Sequence, residues 1–320
     1  MKRRSNILRA LIEGALFEGL AFQIMRTRFF LALVIALFVA GCGRGKHAGP
    51  ADYPIKLYRP QPVGSEHRMV VTGSFEDTAD VNSEGKSRGP KIDSYTLEID
   101  ATIKVLSSDP DALGPISQLT IAKATKTKDG KTEEFLSVGT VVVEKRSADK
   151  TEFFLGDSAV NATAAYLLQI GELSAGLDPR SDETSFGTQD RKRVGDSWPI
   201  NAGAAAAYFT RLKMACKPGN IVGSATLKEV SGAGNEMLLT IVSTTSINDI
   251  RMELPAGFTL HTCNGKMTST SIMPVEAAKL AKQGSLQMEI NAIFDRQVSG
   301  KTITVTVFRK ASIERKLLEK

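Results

Sequence analysis

The sequence predicts an α+β fold: a large curved antiparallel β-sheet, half-barrel-like, with two or three helices packed on or inside it. Three observations carry this. Long runs alternate apolar and polar residues with period two, as in Tyr95, Leu97, Ile99, Ala101, Ile103 and Val105 against Thr96, Glu98, Asp100, Thr102 and Lys104. Such alternation marks antiparallel strands with one buried and one wet face, unlike the continuous apolar runs of parallel strands. Strands of this length curl when many are joined. Only three segments read as helices, and the apolar face of such a sheet needs a cover.

The chain begins with a leader. Residues 29–41 form an apolar stretch of about a dozen residues, whereas a bilayer span takes about 20. Arg26 and Arg28 precede it and small residues end it, the pattern of a secretory signal peptide; Met25 is a natural start for one. Val39-Ala40-Gly41-Cys42 resembles the lipobox of bacterial lipoproteins. The resemblance implies a type II signal peptide over 1–41, cleavage before Cys42, a diacylglycerol on its thiol and an acyl group such as palmitate on the new amino group. Several acyl chains make a firm membrane anchor, each buried CH₂ contributing about 0.8 kcal/mol. Gly43 stands where this family places the Asp that retains a lipoprotein in the inner membrane. The resemblance therefore implies the outer membrane, with the protein facing the periplasm.

Removing that leader changes the charge balance. The whole chain is +6; without the six basic and two acidic residues of 1–42, 35 basic residues face 33 acidic ones, a net of +2. Nucleic acid is not an expected partner. Residues 43–64 are rich in Gly, Pro and charge, without periodicity, so 42–64 reads as a lipidated cysteine followed by a flexible tether. Residues 65–320 are then expected to form one β-rich periplasmic domain.

Within that domain the period-two pattern returns at Leu286, Met288, Ile290, Ala292 and Phe294, and at Ile303, Val305 and Val307. Ser299-Gly300 between the last two predicts a hairpin. Asp129-Gly130 predicts another, joining 119–126 to 135–144, with a further turn into 151–155. Asn264-Gly265 is a favoured type I′ pair and predicts a turn between 258–263 and 266–272. Residues 236–244 are a further strand. The expected helices are 158–173, capped by Asp157 or Ser158; 202–215, ending at Lys217-Pro218-Gly219; and 274–282, with Pro274 at its start and Gly284 past its end. No repeat of 20–50 residues is visible.

Candidate chemistry is sparse. Residues 152–160, Glu-Phe-Phe-Leu-Gly-Asp-Ser-Ala-Val, resemble the nucleophile block of GDS-type esterases, which would make Ser158 the nucleophile. A serine needs a base, and that family supplies it from an Asp-x-x-His motif near the C-terminus. The histidines here are His47, His67 and His261, and His261 has Phe258 where the motif needs Asp. The same tripeptide recurs at 195–197, in Val-Gly-Asp-Ser-Trp, so it reads as turn chemistry in both places. That second stretch also resembles uncharacterised β-rich envelope lipoproteins. Trp198, the one tryptophan, is a core or hinge plug or else a ligand-stacking surface. Ser147 and Lys150 match Ser-x-x-Lys but lack its partner motifs.

Cys216 and Cys263 would sit in an oxidising compartment. A bridge between them would close 48 residues, which chain entropy translates to roughly 4 kcal/mol. The alternatives are two separately buried thiols, or a soft-metal site in which His261 and Cys263, two apart on one strand face, are joined by Cys216. No catalytic residue, cofactor or metal is expected. A curved sheet around helices is similar in architecture to periplasmic lipoprotein carriers and lipid-binding lipoproteins. That similarity implies a membrane-anchored, non-enzymatic protein that binds an apolar small molecule. The alternative is a structural or adaptor lipoprotein that binds another envelope protein.

Overall fold

The computed structural model describes residues 51–59, 61–83, 86–87, 89–107, 116–146, 151–171, 181–211, 214–252, 254, 256–298 and 301–319. The leader, Cys42, the 147–150 turn and Ser299-Gly300 lie outside them. In chain order the strands before the helices are β1 (Glu66–Ser83), β2 (Lys86–Ser87), β3 (Lys91–Ser107), β4 (Ile116–Lys128), β5 (Lys131–Glu134), β6 (Val141–Arg146), β7 (Thr151–Leu155) and β8 (Ser158–Ala159). Helices α1 (Ala162–Gly171) and α2 (Ser181–Phe186), strand β9 (Ser197–Pro199) and helix α3 (Ala202–Arg211) follow. The chain ends with β10 (Met214–Ala215), β11 (Ile221–Ser231), β12 (Leu238–Ile247), β13 (Arg251–Met252), β14 (Phe258–Pro274), β15 (Gln283–Val298) and β16 (Lys301–Glu319).

Fourteen strands form one sheet, in the order β8-β7-β6-β4-β3-β1-β16-β15-β14-β12-β11-β9, with β2 and β5 alongside; β10 and β13 pair apart from it. All pairings are antiparallel, and no pairing joins β8 to β9, so the sheet stays open. The chain builds one half outward from β1 to β8. It then crosses the sheet's face through the helices to the opposite edge, β9, and meanders back until β16 pairs with β1. The crossing has to traverse the face, which is why the helices lie over it.

The alternation of β3 is seen as predicted: Leu97, Ile99, Ala101, Ile103 and Val105 are buried. In β1, Met69, Val71 and Phe75 share that face. On the convex face Arg68 pairs with Asp100 and Lys123 with Glu98, and its Thr, Ser and charged side chains meet water. Leu167 and Leu168 of α1 and Phe209 of α3 complete the main core against the concave face. No helix among the described residues is long and apolar enough to cross a membrane.

Several expectations change. Asp129 (φ 51°) and Gly130 (φ 73°) make the predicted tight turn, and β15 pairs with β16 in register Val298↔Lys301. Asn264-Gly265 does not turn. It lies inside the unbroken 17-residue β14, opposite Asn291 and Ile290. β15 pairs with both residues and β12 begins its pairing at Gly265, which holds the segment extended, and Asn264 accepts a hydrogen bond from the Asp249 backbone N–H at 3.1 Å, docking the 248–250 loop. The 158–173 helix starts only at Ala162, because Gly156-Asp157 turns β7 into β8. Its cap is Asn161, whose side chain accepts from the Ala164 N–H at 2.9 Å. The second helix covers Ala202–Arg211 and does not reach 215, because Met214–Ala215 pairs with β13 instead. No helix forms over 274–282. The Arg59 guanidinium takes the carbonyls of Pro274 (2.8 Å), Glu276 (2.6 Å) and Lys279 (3.4 Å), and the Lys282 N–H goes to Ile272. The Glu276 carbonyl also accepts from the Lys279 N–H at 3.2 Å, so a single turn forms here in place of a helix.

Arg59 belongs to a second correction, the extent of the tether. Residues 52–59 are docked on the domain. Tyr53 makes a two-bond backbone bridge to Lys192, and Asp52 pairs with Arg191. Ile55, 1% exposed, enters a cluster with Trp198, Leu227, Leu239, Ile241 and Met273. The Glu183 carboxylate of α2 accepts from the Leu57 and Tyr58 N–H groups. Tyr53, Ile55 and Leu57 repeat with period two, which is what lets this strap lay one side onto the sheet's edge.

Candidate functional site

Strands and helices differ greatly in length here. The 19 residues of β16 span about 60 Å at about 3.3 Å each. The ten-residue α1 spans about 15 Å. Beyond α1, no described helix covers the concave face of β1, β3, β4 and β16. This stretch of the concave face is the candidate site.

Its floor begins at Gly73. A Cβ there would stand 2.8 Å from Phe75 Cε2, so the missing side chain is what allows the Phe75 ring to fold back over the strand. That ring stacks on Tyr95 with centroids 4.7 Å apart and planes 15° off parallel. Next along β1 on the same face comes Asp77, opposite Arg309 of β16. Its carboxylate accepts from both Nε and Nη2 of Arg309, and both side chains are only 14% exposed. Tyr166 of α1 bonds to Arg309 and to Tyr95, closing a four-residue network. Burial pushes Tyr95 well up and Tyr166 up. Burial would pull Arg309 down, but the Asp77 hydrogen bonds, Tyr166 and Tyr95 more than offset it, so its guanidinium is held above the ordinary range.

Past the network the floor turns apolar again. Ala79, Val81 and Val307 are half-buried, and Val81 and Val307 lean on a separate cluster of Phe294, Ile303 and Val305. A charged belt therefore divides the main core from this cluster.

The side wall is β4, and its register matters. Asp100 faces Lys123 but Ala101 faces Ile121, so Ala122 is an extra residue, a β-bulge. Bulges re-aim the side chains that follow. Here the phase shift turns Lys123 to the convex face and sends Ala124, Lys126 and Lys128 inward. Lys126 Nζ lies 4.6 Å from the centre of the Tyr95 ring, and Lys128 Nζ lies 2.8 Å from Asp93. Burial, then Lys128, holds the Lys126 ammonium below its usual range, against Asp93 and Glu133.

The residues singled out from sequence lie elsewhere. Trp198 is 5% exposed and its indole N–H donates to the Phe186 carbonyl at 2.8 Å. It is the plug under the strap, not a ligand-stacking surface. Ser158 is exposed on the short β8 hairpin. Cys216 and Cys263 are free thiols, the alternative to a bridge. Cys263 is fully buried in the core, with Cys216 half-buried at its margin. The metal alternative also fails. β14 has a bulge of its own between Leu260 and Thr262. It sets His261 apart from the face of Cys263, and His261 Nε2 pairs instead with Asp295 at 2.9 Å. No metal-holding group of His, Cys, Asp or Glu occurs among the described residues.

Burial pushes the Cys263 thiol up to about 12 and raises Cys216. Iodoacetamide at about pH 8, where the thiolate is the reacting form, is expected to modify Cys216 first and Cys263 only on unfolding. Peptide mass mapping that found equal rates in the folded protein would contradict this placement.

No family model matches the chain, and no curated protein does. Among solved structures, lipovitellin, in a study of its lipid–protein interactions, is similar over 76% of this chain at 9% identity and a TM-score of 0.28. This chain spans 25% of the length of that one. The outer membrane protein OprG of Pseudomonas aeruginosa is similar over 81% of this chain and 97% of its own, at 9% identity and a TM-score of 0.21. At scores this low neither likeness bears on the fold or role of this chain.

Proposed function

We propose that this protein is a non-enzymatic lipoprotein of the outer membrane, anchored through Cys42 and facing the periplasm, that holds an apolar ligand in its trough. The observation that carries the ligand reading is the mismatch of about 60 Å strands and a roof of about 15 Å. It leaves Ala79, Val81 and Val307 half-exposed on a concave face. The anchor rests on Val39-Ala40-Gly41-Cys42 after an apolar run. The convex face, with its Arg68–Asp100 and Lys123–Glu98 pairs, suits a surface in water and not one in lipid, where charges at mid-depth cost about 2–4 kcal/mol each.

Native mass spectrometry of the full chain, extracted from envelopes in a non-ionic detergent, tests both parts. The expected spectrum has acyl chains fixed covalently on the Cys42 peptide, lost in Cys42→Ala, and a further apolar molecule released on denaturation. A chain with no acyl mass overturns the anchor. A chain with no releasable mass in repeated preparations from different hosts overturns the ligand and favours an adaptor that binds another envelope protein.

A further inference from the structure

Residues 52–59 lie between Cys42 and the sheet, so whatever holds them decides how much chain an anchor there can use. Three observations bear on that hold. First, the strap covers an apolar cluster of its own. Ile55, 1% exposed, packs with Trp198, Leu227, Leu239, Ile241 and Met273, a group separate from the main core under the helices. A local unit with its own contacts opens at a lower cost than the fold around it. Second, most of its ties lie outside the sheet's ladder. Its backbone pairs with the domain at an isolated bridge, Tyr53 with Lys192. The Glu183 carboxylate takes the Leu57 and Tyr58 N–H groups, and Arg59 donates to the Pro274 and Glu276 carbonyls. Third, these ties stand in series. A pull from the anchor enters at residue 51 and meets the exposed Asp52–Arg191 pair first, then the Tyr53 bridge, and only then Ile55, Glu183 and Arg59. The chain is back in the sheet by Gly64, whose N–H bonds to the Val105 carbonyl at 2.9 Å.

We propose that the strap is a latch that sets how far the domain stands from its anchor. Seated, it leaves the anchor the chain of 43–51, a reach of at most about 30 Å; released, it leaves 43–64, about 75 Å. The sheet stays folded in both positions. Release uncovers Trp198, Leu227, Leu239 and Met273, and their burial reseats the strap when the pull ends. This rests on the Cys42 anchor proposed above and adds the control of its length.

The test uses Trp198, the one tryptophan, which lies under the strap. It is the donor for energy transfer to dansyl-phosphatidylethanolamine in vesicles of phosphatidylethanolamine and phosphatidylglycerol that carry the full acylated chain. A flexible Gly-Ser insert of about a dozen residues is placed at either of two points. Between Gly49 and Pro50, on the anchor side of the strap, it should lower the transfer about twofold or more, since it adds about 20 Å of mean span. Between Gln61 and Pro62, on the domain side, it should leave the transfer unchanged, because the seated strap fixes the domain ahead of it. In Ile55→Ala the second insert should act like the first, while amide exchange in β1, β3 and β16 stays slow. Equal falls from the two inserts in the otherwise native chain make 43–64 a plain tether and overturn the latch, as does no fall from either. Both inserts leave the strap and its groove intact, so this outcome does not depend on Ile55→Ala folding. Exchange in the three strands that rises together with that of the strap overturns independent opening. A chain with no acyl mass on Cys42 overturns the anchor and the latch with it; an acylated chain with equal falls overturns the latch alone.

Discussion

Replacing Asp77 with alanine is expected to lower the stability of the domain by about 3–5 kcal/mol. The reason is the partner left behind. Arg309 is only 14% exposed and Asp77 accepts from two of its nitrogens. Removing the carboxylate leaves a full positive charge among Tyr95, Tyr166 and apolar strand residues, and breaking a buried pair from one side is the costly way to do it. For a domain of this size the melting temperature should fall by on the order of 10 °C. The double variant Asp77→Leu with Arg309→Met should recover most of the loss, because replacing both charges with apolar groups is often neutral. Denaturant unfolding of the two single variants and the double gives the coupling energy directly. A loss under about 1 kcal/mol for Asp77→Ala would mean that the pair behaves like an exposed one, and the closed network described here would be wrong.

That pair also shows what the sequence does and does not disclose. Alternation identifies β3, β15 and the first half of β16 because one face meets core and the other water. β1 has the same pattern in Met69, Val71 and Phe75, but Gly73 and Asp77 interrupt its apolar phase, and only the structure supplies their partners. Asp77 and Arg309 each break an apolar run in the buried phase, with opposite signs. Two such breaks are a legible hint of a buried ion pair once the register is known, and the register comes from the pairing of the chain's two ends, which no local pattern encodes. Asn264-Gly265 errs in the other direction. Its local preference for a turn is real, but β15 bonds along β14 from Phe258 to Ile272, through Asn264-Gly265, and β12 joins from Gly265 onward, so the pairing overrides it. Similarly, the 274–282 segment carries helix-start and helix-stop signals, and a guanidinium more than two hundred residues away in sequence takes its carbonyls.

The site was the least legible part. Lys126 stands in a run, Lys123-Ala124-Thr125-Lys126-Thr127-Lys128, that reads as a wet strand end. What moves it into the trough is one extra residue, Ala122. The trace in the sequence is a slip of phase: Leu119 and Ile121 are buried at odd positions and Ala124 at an even one. Trp198 is the one tryptophan, and its depth under Ile55 shows why rarity is a poor guide to exposure.

The strap offers the second large effect. Ile55→Ala is expected to destabilise the protein by about 2–5 kcal/mol, the range for a buried large-to-small change. Ile55 is 1% exposed and sits against Trp198, Leu239 and Met273. The outermost tie of the strap is a weaker hold. The Asp52–Arg191 pair is about half exposed on both sides, and such pairs contribute about 0–1 kcal/mol. The apolar plug holds 52–59 on the domain together with the Glu183 and Arg59 hydrogen bonds, and its loss should act locally first. Amide exchange at Leu57 and Tyr58, whose N–H groups are held by Glu183, should accelerate before the core strands change. Protease cuts should appear within 51–59 in the variant and not in the native chain. Equal exchange in both would mean that the segment is already loose, as a tether reaching to residue 64 would be. The distinction has a mechanical consequence for an anchor at Cys42. A free tether over 43–64 could reach about 75 Å, whereas the nine residues of 43–51 reach at most about 30 Å. With the strap seated, an anchor at Cys42 would hold the domain close and by one edge, the one formed by β9, β11 and β12. The trough beside Lys126 lies towards the opposite half of the sheet, on β1, β3 and β4, away from the point of attachment.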